Sequence, residues 1–250
     1  MLETVKEHLR LIRCYHLANS LEATLQQAQD NEMSYLGFLN ELLAQELTGR
    51  DQTRLKRYLK QARFPMIKTV DDFDFSFQTT ISKRQVNSWL TCSWIEQRHN
   101  KIIMGPPGVG KTHLAIAAGY AAVFKSHKVA FYPLPELIEA MILADDNQTF
   151  DRWLKAILKN DLIIIDELGY LPLKPMAANL FFQLVNHCYE YRSLLITSNK
   201  LFTEWDAYFG NRTMAAAILD RLLHHADAVV LNGDSYRLKD KRGQLPEPGN

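Results

Sequence analysis

Apolar residues in the first sixty positions recur at helical spacing, and no proline interrupts them before Pro65. Leu36, Leu39, Leu43 and Leu47 form one stripe, and Leu55, Leu59 and Ala62 continue one beyond Gly49. Residues three and four apart share a helix face, so these stripes predict a small helical bundle packed through its apolar sides. Gly49, a poor helix former, predicts a break between them. Pro65 ends the helical region, because the residue before a proline is pushed toward extended backbone. Phe73, Phe75 and Phe77 then alternate with polar residues. That period of two predicts an extended linker laying aromatic rings onto the domain that follows.

From residue 81 the pattern changes. Short, β-prone apolar runs at 101–104, 128–132, 162–165, 194–197 and 228–231 are separated by helical stretches. This alternation predicts a five-stranded parallel α/β sheet, doubly wound by its crossover helices. Ligands bind such sheets at the carboxyl ends of the strands. The chain therefore divides into a helical domain at 1–66, a linker at 67–80 and an α/β domain at 81–250. The closing QLPEPGN reads as unstructured, and the residues beyond the last strand are too few for a helical lid.

Composition narrows the class. With 47% hydrophobic and 23% charged residues the chain is of ordinary globular make-up, so a substantial core is expected. Cys14, Cys92 and Cys188 are odd in number, far apart and outside any CxxC pattern, which argues against a disulfide framework or a zinc site and fits a reducing cytoplasm. Charges inside the N-terminal apolar stretch are unlike a signal peptide. The longest uncharged apolar stretch, 114–124, is too short to cross a bilayer, so no membrane partner is expected.

Net charge is only +1, yet residues 50–68 alone carry +6. Arg50, Arg54 and Arg57 fall on one helical face, with Lys60 and Arg63 following. A row of cations at that spacing can meet consecutive phosphates of duplex DNA, or be an ordinary solvated face.

The strongest signal follows the run at 101–104. Gly105, Pro106, Pro107, Gly108, Val109, Gly110, Lys111 and Thr112 match the GxxxxGK[ST] pattern, and His113 opens the helical run after it. The glycines let successive backbone N–H groups turn inward onto phosphate oxygens, and the helix N-terminus adds positive potential. Lys111 would neutralise the β- and γ-phosphates of ATP, and the Thr112 hydroxyl would ligate Mg2+. The run at 162–165 is continuously apolar, as a strand buried on both faces requires, and delivers Asp166 and Glu167. Asp166 is placed to hold magnesium, directly or through its water. Glu167 can polarise the attacking water. The run at 194–197 ends in Ser198 and Asn199, either a simple turn or an amide near the γ-phosphate.

Taken together, GPPGVGKTHLAIA, LIIIDELGYLPL, FFQLVN, ITSNK, AAAILDRLLHH and SYRLK resemble the IstB-like transposition helper ATPases of bacterial insertion sequences. These are similar to the DnaC and DnaI helicase loaders, within the DnaA-related AAA+ group. The resemblance covers residues 50–238 and implies an AAA+ ATPase that assembles on DNA and recruits a transposase. A helicase loader is the alternative, and a DNA-bound scaffold that scarcely hydrolyses its nucleotide is a third reading. Residue by residue, the resemblance makes Asn199 a sensor of the γ-phosphate and Arg221 a finger reaching a neighbouring subunit's nucleotide, hence head-to-tail homo-oligomers. Arg212 is the reserve for the finger, and Arg237 a partial substitute for the arginine of the missing lid. His224 and His225 read as packing or surface residues.

Overall fold

A computed structural model describes residues 1–170 and 172–241. The chain forms two compact units, Met1–Arg57 and Tyr58–Asn250. The tail expected to be unstructured lies outside the described residues.

The first unit is helical. Helices α1 (Leu2–Leu11) and α2 (Tyr15–Asp30) are followed by α3 (Tyr35–Ala62), which continues into the second unit. Its core gathers Leu17, Leu21 and Leu42, with Leu2, Leu9 and Phe38 packed around them. Two expectations fail here. Helix α3 runs unbroken through Gly49, whose missing side chain leaves room for the His16 imidazole. A buried contact, and not a helix end, explains that glycine. The stripe of Leu36, Leu39, Leu43 and Leu47 also stays outside the core, with 76%, 50%, 49% and 64% exposure. Within the first unit the buried residues of α3 are instead Leu42, Glu46 and Gly49. Glu46 is carried inward because its carboxylate accepts from Leu17 N at 2.7 Å and pairs with Arg50 Nε at 2.7 Å. A buried charge needs such partners. The helix ends at Ala62, where Arg63 takes a left-handed φ of 57° two residues before Pro65.

In the second unit five parallel strands form one sheet in the order β2-β3-β4-β1-β5. They are β1 (Asn100–Met104), β2 (Val129–Pro133), β3 (Leu162–Leu168), β4 (Ser193–Ser198) and β5 (Ala226–Val230). All five expected strands are present, shifted by no more than a few residues. Helices α4 (Lys83–Leu90) and α5 (Ser93–Glu96) precede β1, and α4 is held at its start by a capping box between Ser82 and Gln85. Helix α6 (Lys111–Phe124) leaves β1 and packs closely on β3 and β4, because Ala115, Ala118, Gly119 and Ala122 present almost no side chain. A Cβ on Gly119 would lie 2.5 Å from Ile164 Cδ1.

The opposite face is covered by α7 (Leu134–Asp146), α9 (Pro175–Cys188), α10 (Trp205–Phe209) and α11 (Arg212–Leu223), with α8 (Phe150–Ile157) against α7. Ile102, Ile163, Ile165 and Ile196 point into this layer together with Phe181, Trp205 and Phe209. Sheltered on both faces, the central strands bury every apolar residue, each aliphatic side chain contributing about 1.5–3 kcal/mol. The register pairs Met104 with Ser198 and Leu168 with Ser198, so β1, β4 and β3 end level with one another.

Candidate active site

The level ends of β1, β4 and β3 floor a cavity of about 290 Å³. The loop from Gly105 to Gly110 leaves β1 and feeds α6, with Gly110 capping the helix at φ 99°. A side chain there would be strained, and its Cβ would lie 2.6 Å from the Phe73 ring. Pro107, Gly108, Val109, Gly110, Lys111, Thr112 and His113 line the cavity, whereas Gly105 and Pro106 contribute carbonyls to it indirectly. The Lys111 amine donates to Gly105 O at 2.7 Å and to Pro106 O at 2.8 Å. Desolvation holds that amine below the usual lysine range, with Arg237 adding repulsion. His113 is turned from the loop, its Nε2 within 2.8 Å of Thr69 O and its ring edge-on to Phe73.

Asp166 is 4% exposed. Burial pushes its carboxyl above the ordinary range, while hydrogen bonds from Thr197 and Thr112 and the charge of Lys111 pull it back. Thr112 Oγ1 stands 2.9 and 3.0 Å from its two oxygens. Thr197 Oγ1, fully buried at the end of β4, donates to Asp166 Oδ1 at 2.5 Å and accepts from Glu167 N at 3.0 Å. One hydroxyl thus ties both acidic residues to the neighbouring strand. The β3–β4 register shifts between Ile165 and Leu168, and Glu167 sits at a left-handed φ of 67°. Such a backbone costs about 1–3 kcal/mol for a residue with a side chain, and it presents Glu167 to the cavity beside Asn199. Asn199 donates its backbone N–H to Leu168 O at 3.2 Å, while its Oδ1 is buried without a hydrogen-bond partner among the described residues. That oxygen lies against Gly169, where an added Cβ would come within 2.4 Å of it.

Of the remaining lining, sequence reasoning brought only Arg237 to the nucleotide. Phe73, Phe77 and Gln78 from the expected linker line the cavity with Tyr236 and Arg237. Gln78 Nε2 donates to Val109 O at 3.3 Å, and Tyr236 N to Gly108 O at 3.0 Å. The Tyr236 ring meets Phe77 edge-on, and Lys239 pairs with Asp74 at 2.8 Å. The alternating phenylalanines were visible in the sequence, but their neighbours were not.

Arg221 and Arg212 do not line the cavity. The chain leaves β4 at its carboxyl end and must return to start the parallel β5, so the last turn of α11 lies at the far edge of the sheet. Asn100 Nδ2, at the start of β1, donates to Leu222 O there. Arg221 lies against α9, donating to Asn186 Oδ1 at 2.9 Å over the Phe182 ring. Arg212, on the first turn of α11, is 3.9 Å from Asp206.

In the first unit Arg50, Arg54 and Arg57 gather with Arg13, His16 and Thr53 around a small hollow of about 190 Å³. Arg50 is held by Glu46 and by Arg13 O at 3.0 Å, and Arg54 pairs with Asp51 at 2.8 Å. Lys60 and Arg63 are exposed residues of the second unit.

The chain is similar to several known proteins. The family model described as IstB-like ATP binding protein matches residues 7–244. The ATP-binding protein of insertion sequence IS21 from Pseudomonas aeruginosa is 44% identical over 234 residues, covering 94% of this chain and 88% of that protein. Its counterpart in insertion sequence IS5376 of Geobacillus stearothermophilus is 36% identical, covering 98% and 97%. Among solved structures, the DnaC helicase loader matches with a TM-score of 0.51 at 20% identity, covering 70% of this chain and 99% of that one. The replication initiator DnaA bound to AMPPCP and single-stranded DNA matches with a TM-score of 0.53 at 20% identity, covering 70% and 54%. At such identity these structures speak for the fold alone.

Proposed function

The chain belongs to the IstB-like ATP-binding family, and from that premise we propose that it is a transposition helper which uses ATP to assemble on duplex DNA and recruit a transposase. That it is an ATPase of the AAA+ fold follows from the family. The proposal concerns what the ATPase drives, and it rests on the insertion-sequence relatives, which match over nearly the whole chain.

The residues of the cavity fit ATP with Mg2+. A lysine satisfied only by loop carbonyls and a hydroxyl turned onto a buried carboxylate are groups whose partners a nucleotide and its cation would replace. Bound Mg2+·ATP supplies the phosphoanhydride and a divalent charge across its outer oxygens. Lys111 would exchange the Gly105 and Pro106 carbonyls for phosphate oxygens. Thr112 and Asp166 would hold the cation, and Glu167 would take the proton of the attacking water. Asn199, which lines the cavity with Glu167, would bring its side-chain amide near the γ-phosphate and that water. Phe73, Phe77 and Tyr236 line the same cavity and offer apolar ring surface on which a base can stack.

Arg221 lies too far from its own cavity to act there, so in this reading it serves the nucleotide of the next subunit. Such a contact is head-to-tail and propagates into rings or helices. The basic hollow on the first unit supports contact with DNA phosphates. Immobilised duplex DNA, incubated with the protein and ATP, should retain a transposase of the insertion sequences to which its relatives belong. Lys111→Ala should retain none. Equal retention with and without ATP would overturn the coupling, and capture of a replicative helicase instead would make the chain a loader.

A further inference from the structure

Two turns that the nucleotide chemistry does not use meet at the amino edge of the sheet. One joins α9 to β4 and carries Glu190; the other joins α11 to β5 and carries His224 and His225. Ligand atoms of these three side chains, all exposed, lie within 4.8 Å of one another.

The three groups are individually positioned. Glu190 sits at a left-handed φ of 62°, in a turn closed by Tyr191 N and Arg192 N, which both donate to Cys188 O at 3.0 and 2.8 Å. The Tyr189 hydroxyl lies 2.8 Å from His224 Nδ1. With Nδ1 engaged by an outer partner, the other ring nitrogen of His224 is the one left to bind a ligand, the arrangement that orients metal-binding histidines. The His225 ring stacks on His99 at 5.3 Å with an interplanar angle of 8°, and the His225 carbonyl accepts from Asn100 N at 2.7 Å.

We propose that Glu190, His224 and His225 form a binding site for a divalent transition ion of the zinc class. Two imidazoles and one carboxylate are a sufficient ligand set for such an ion, which leaves a fourth position for water or a group from another molecule. Ligand nitrogens around zinc stand closer together than 4.8 Å, so the three side chains must draw in slightly. Their exposure permits this without disturbing the core. Mg2+ is excluded by chemistry, because it prefers oxygen ligands and the Asp166 end of the sheet supplies them. Ion binding would fasten the end of α9 to the end of α11. Arg221 lies between those helices, one turn before His224, so the site would fix the helix pair against which that arginine rests.

The test uses the full chain without a histidine tag, freed of metal and nucleotide. Titration with Zn2+ against a chromophoric indicator should show one bound equivalent, and Co2+ should give the visible absorption bands of a tetrahedral nitrogen–oxygen site. Glu190→Gln and His225→Ala should each weaken Zn2+ binding by more than about 10-fold, the scale seen when even an outer partner of a metal site is lost. Asp166→Asn should leave it unchanged, which separates this site from the nucleotide cavity. Zn2+ should also raise the Tm of the parent but not of the two variants, by mass action on the folded state. Absence of a bound equivalent in the parent, or equal binding by Glu190→Gln and His225→Ala, overturns the proposal. Should His225→Ala fail to fold, Glu190→Gln, on an exposed turn, decides the matter alone.

Discussion

Thr197→Val removes one hydroxyl from the floor of the cavity and keeps the shape of the side chain. Two bonds are lost together, the donation to Asp166 Oδ1 and the acceptance from Glu167 N. A hydrogen bond to a charged group contributes about 1.5–3 kcal/mol, and a peptide N–H left without a partner costs about 1–3 kcal/mol. Asp166 keeps Thr112 as a donor, and the Glu167 N–H bond is only part-buried, so the combined loss is set at about 2–4 kcal/mol. Thr197→Ser keeps the hydroxyl and gives up only a methyl group, for about 0.5–1.5 kcal/mol. Urea unfolding of the nucleotide-free protein, followed by tryptophan fluorescence, measures both. The four tryptophans, Trp89, Trp94, Trp153 and Trp205, all lie in the second unit and report on it selectively. Turnover should fall in the valine variant with ATP binding retained, because Glu167 loses the bond that fixes its backbone, and serine should restore it. A valine variant within about 0.5 kcal/mol of the parent, at unchanged turnover, would refute the bridging role.

Three further outcomes follow from the same geometry. Asp166→Asn should raise the Tm of the nucleotide-free protein while abolishing turnover. Burial raises the Asp166 carboxyl, so ionising it costs the folded state stability, and the gap in Tm should open as pH rises from the ordinary carboxylate range toward neutrality; a gap that closes instead would contradict the sign. Arg54→Glu with Arg57→Glu should weaken duplex binding equally across sequences and flatten its salt dependence, measured by fluorescence anisotropy, and unchanged affinity would place the DNA surface elsewhere. Arg221→Ala and Lys111→Ala should each be inactive alone, yet an equal mixture should regain partial turnover, since one supplies the finger and the other the intact cavity. A mixture that co-assembles and stays inactive would shift the finger to Arg212.

Much of the site was legible because its signals are local. The glycine spacing around Lys111, the four apolar residues before Asp166 and the polar tip at Thr197–Asn199 each report a strand end without knowledge of partners. Long-range pairings were not legible. Nothing in the spacing of Phe73 and Phe77 names the cavity they line, because a period of two fixes a face and not its neighbour. The leucine stripe of α3 misled for the same reason. Leu36, Leu39, Leu43 and Leu47 share a face, but burial goes to Leu42 and Glu46, since the Glu46 carboxylate finds Leu17 N and Arg50. Gly49 looked like a helix end until His16 supplied another reason for a missing side chain. His224 and His225 carried no metal spacing in the sequence, because Glu190 reaches them only through the fold.

The central claim is that this cavity hydrolyses ATP with Glu167 as the base for water, and single-turnover hydrolysis by Glu167→Gln tests it most directly. The variant should bind ATP with the parent's affinity, because Lys111, Thr112 and Asp166 are untouched. Its hydrolytic step should slow by about 10²–10⁴, the usual contribution of a positioned general base. Hydrolysis at the parental rate, with ATP bound equally well, would contradict the account.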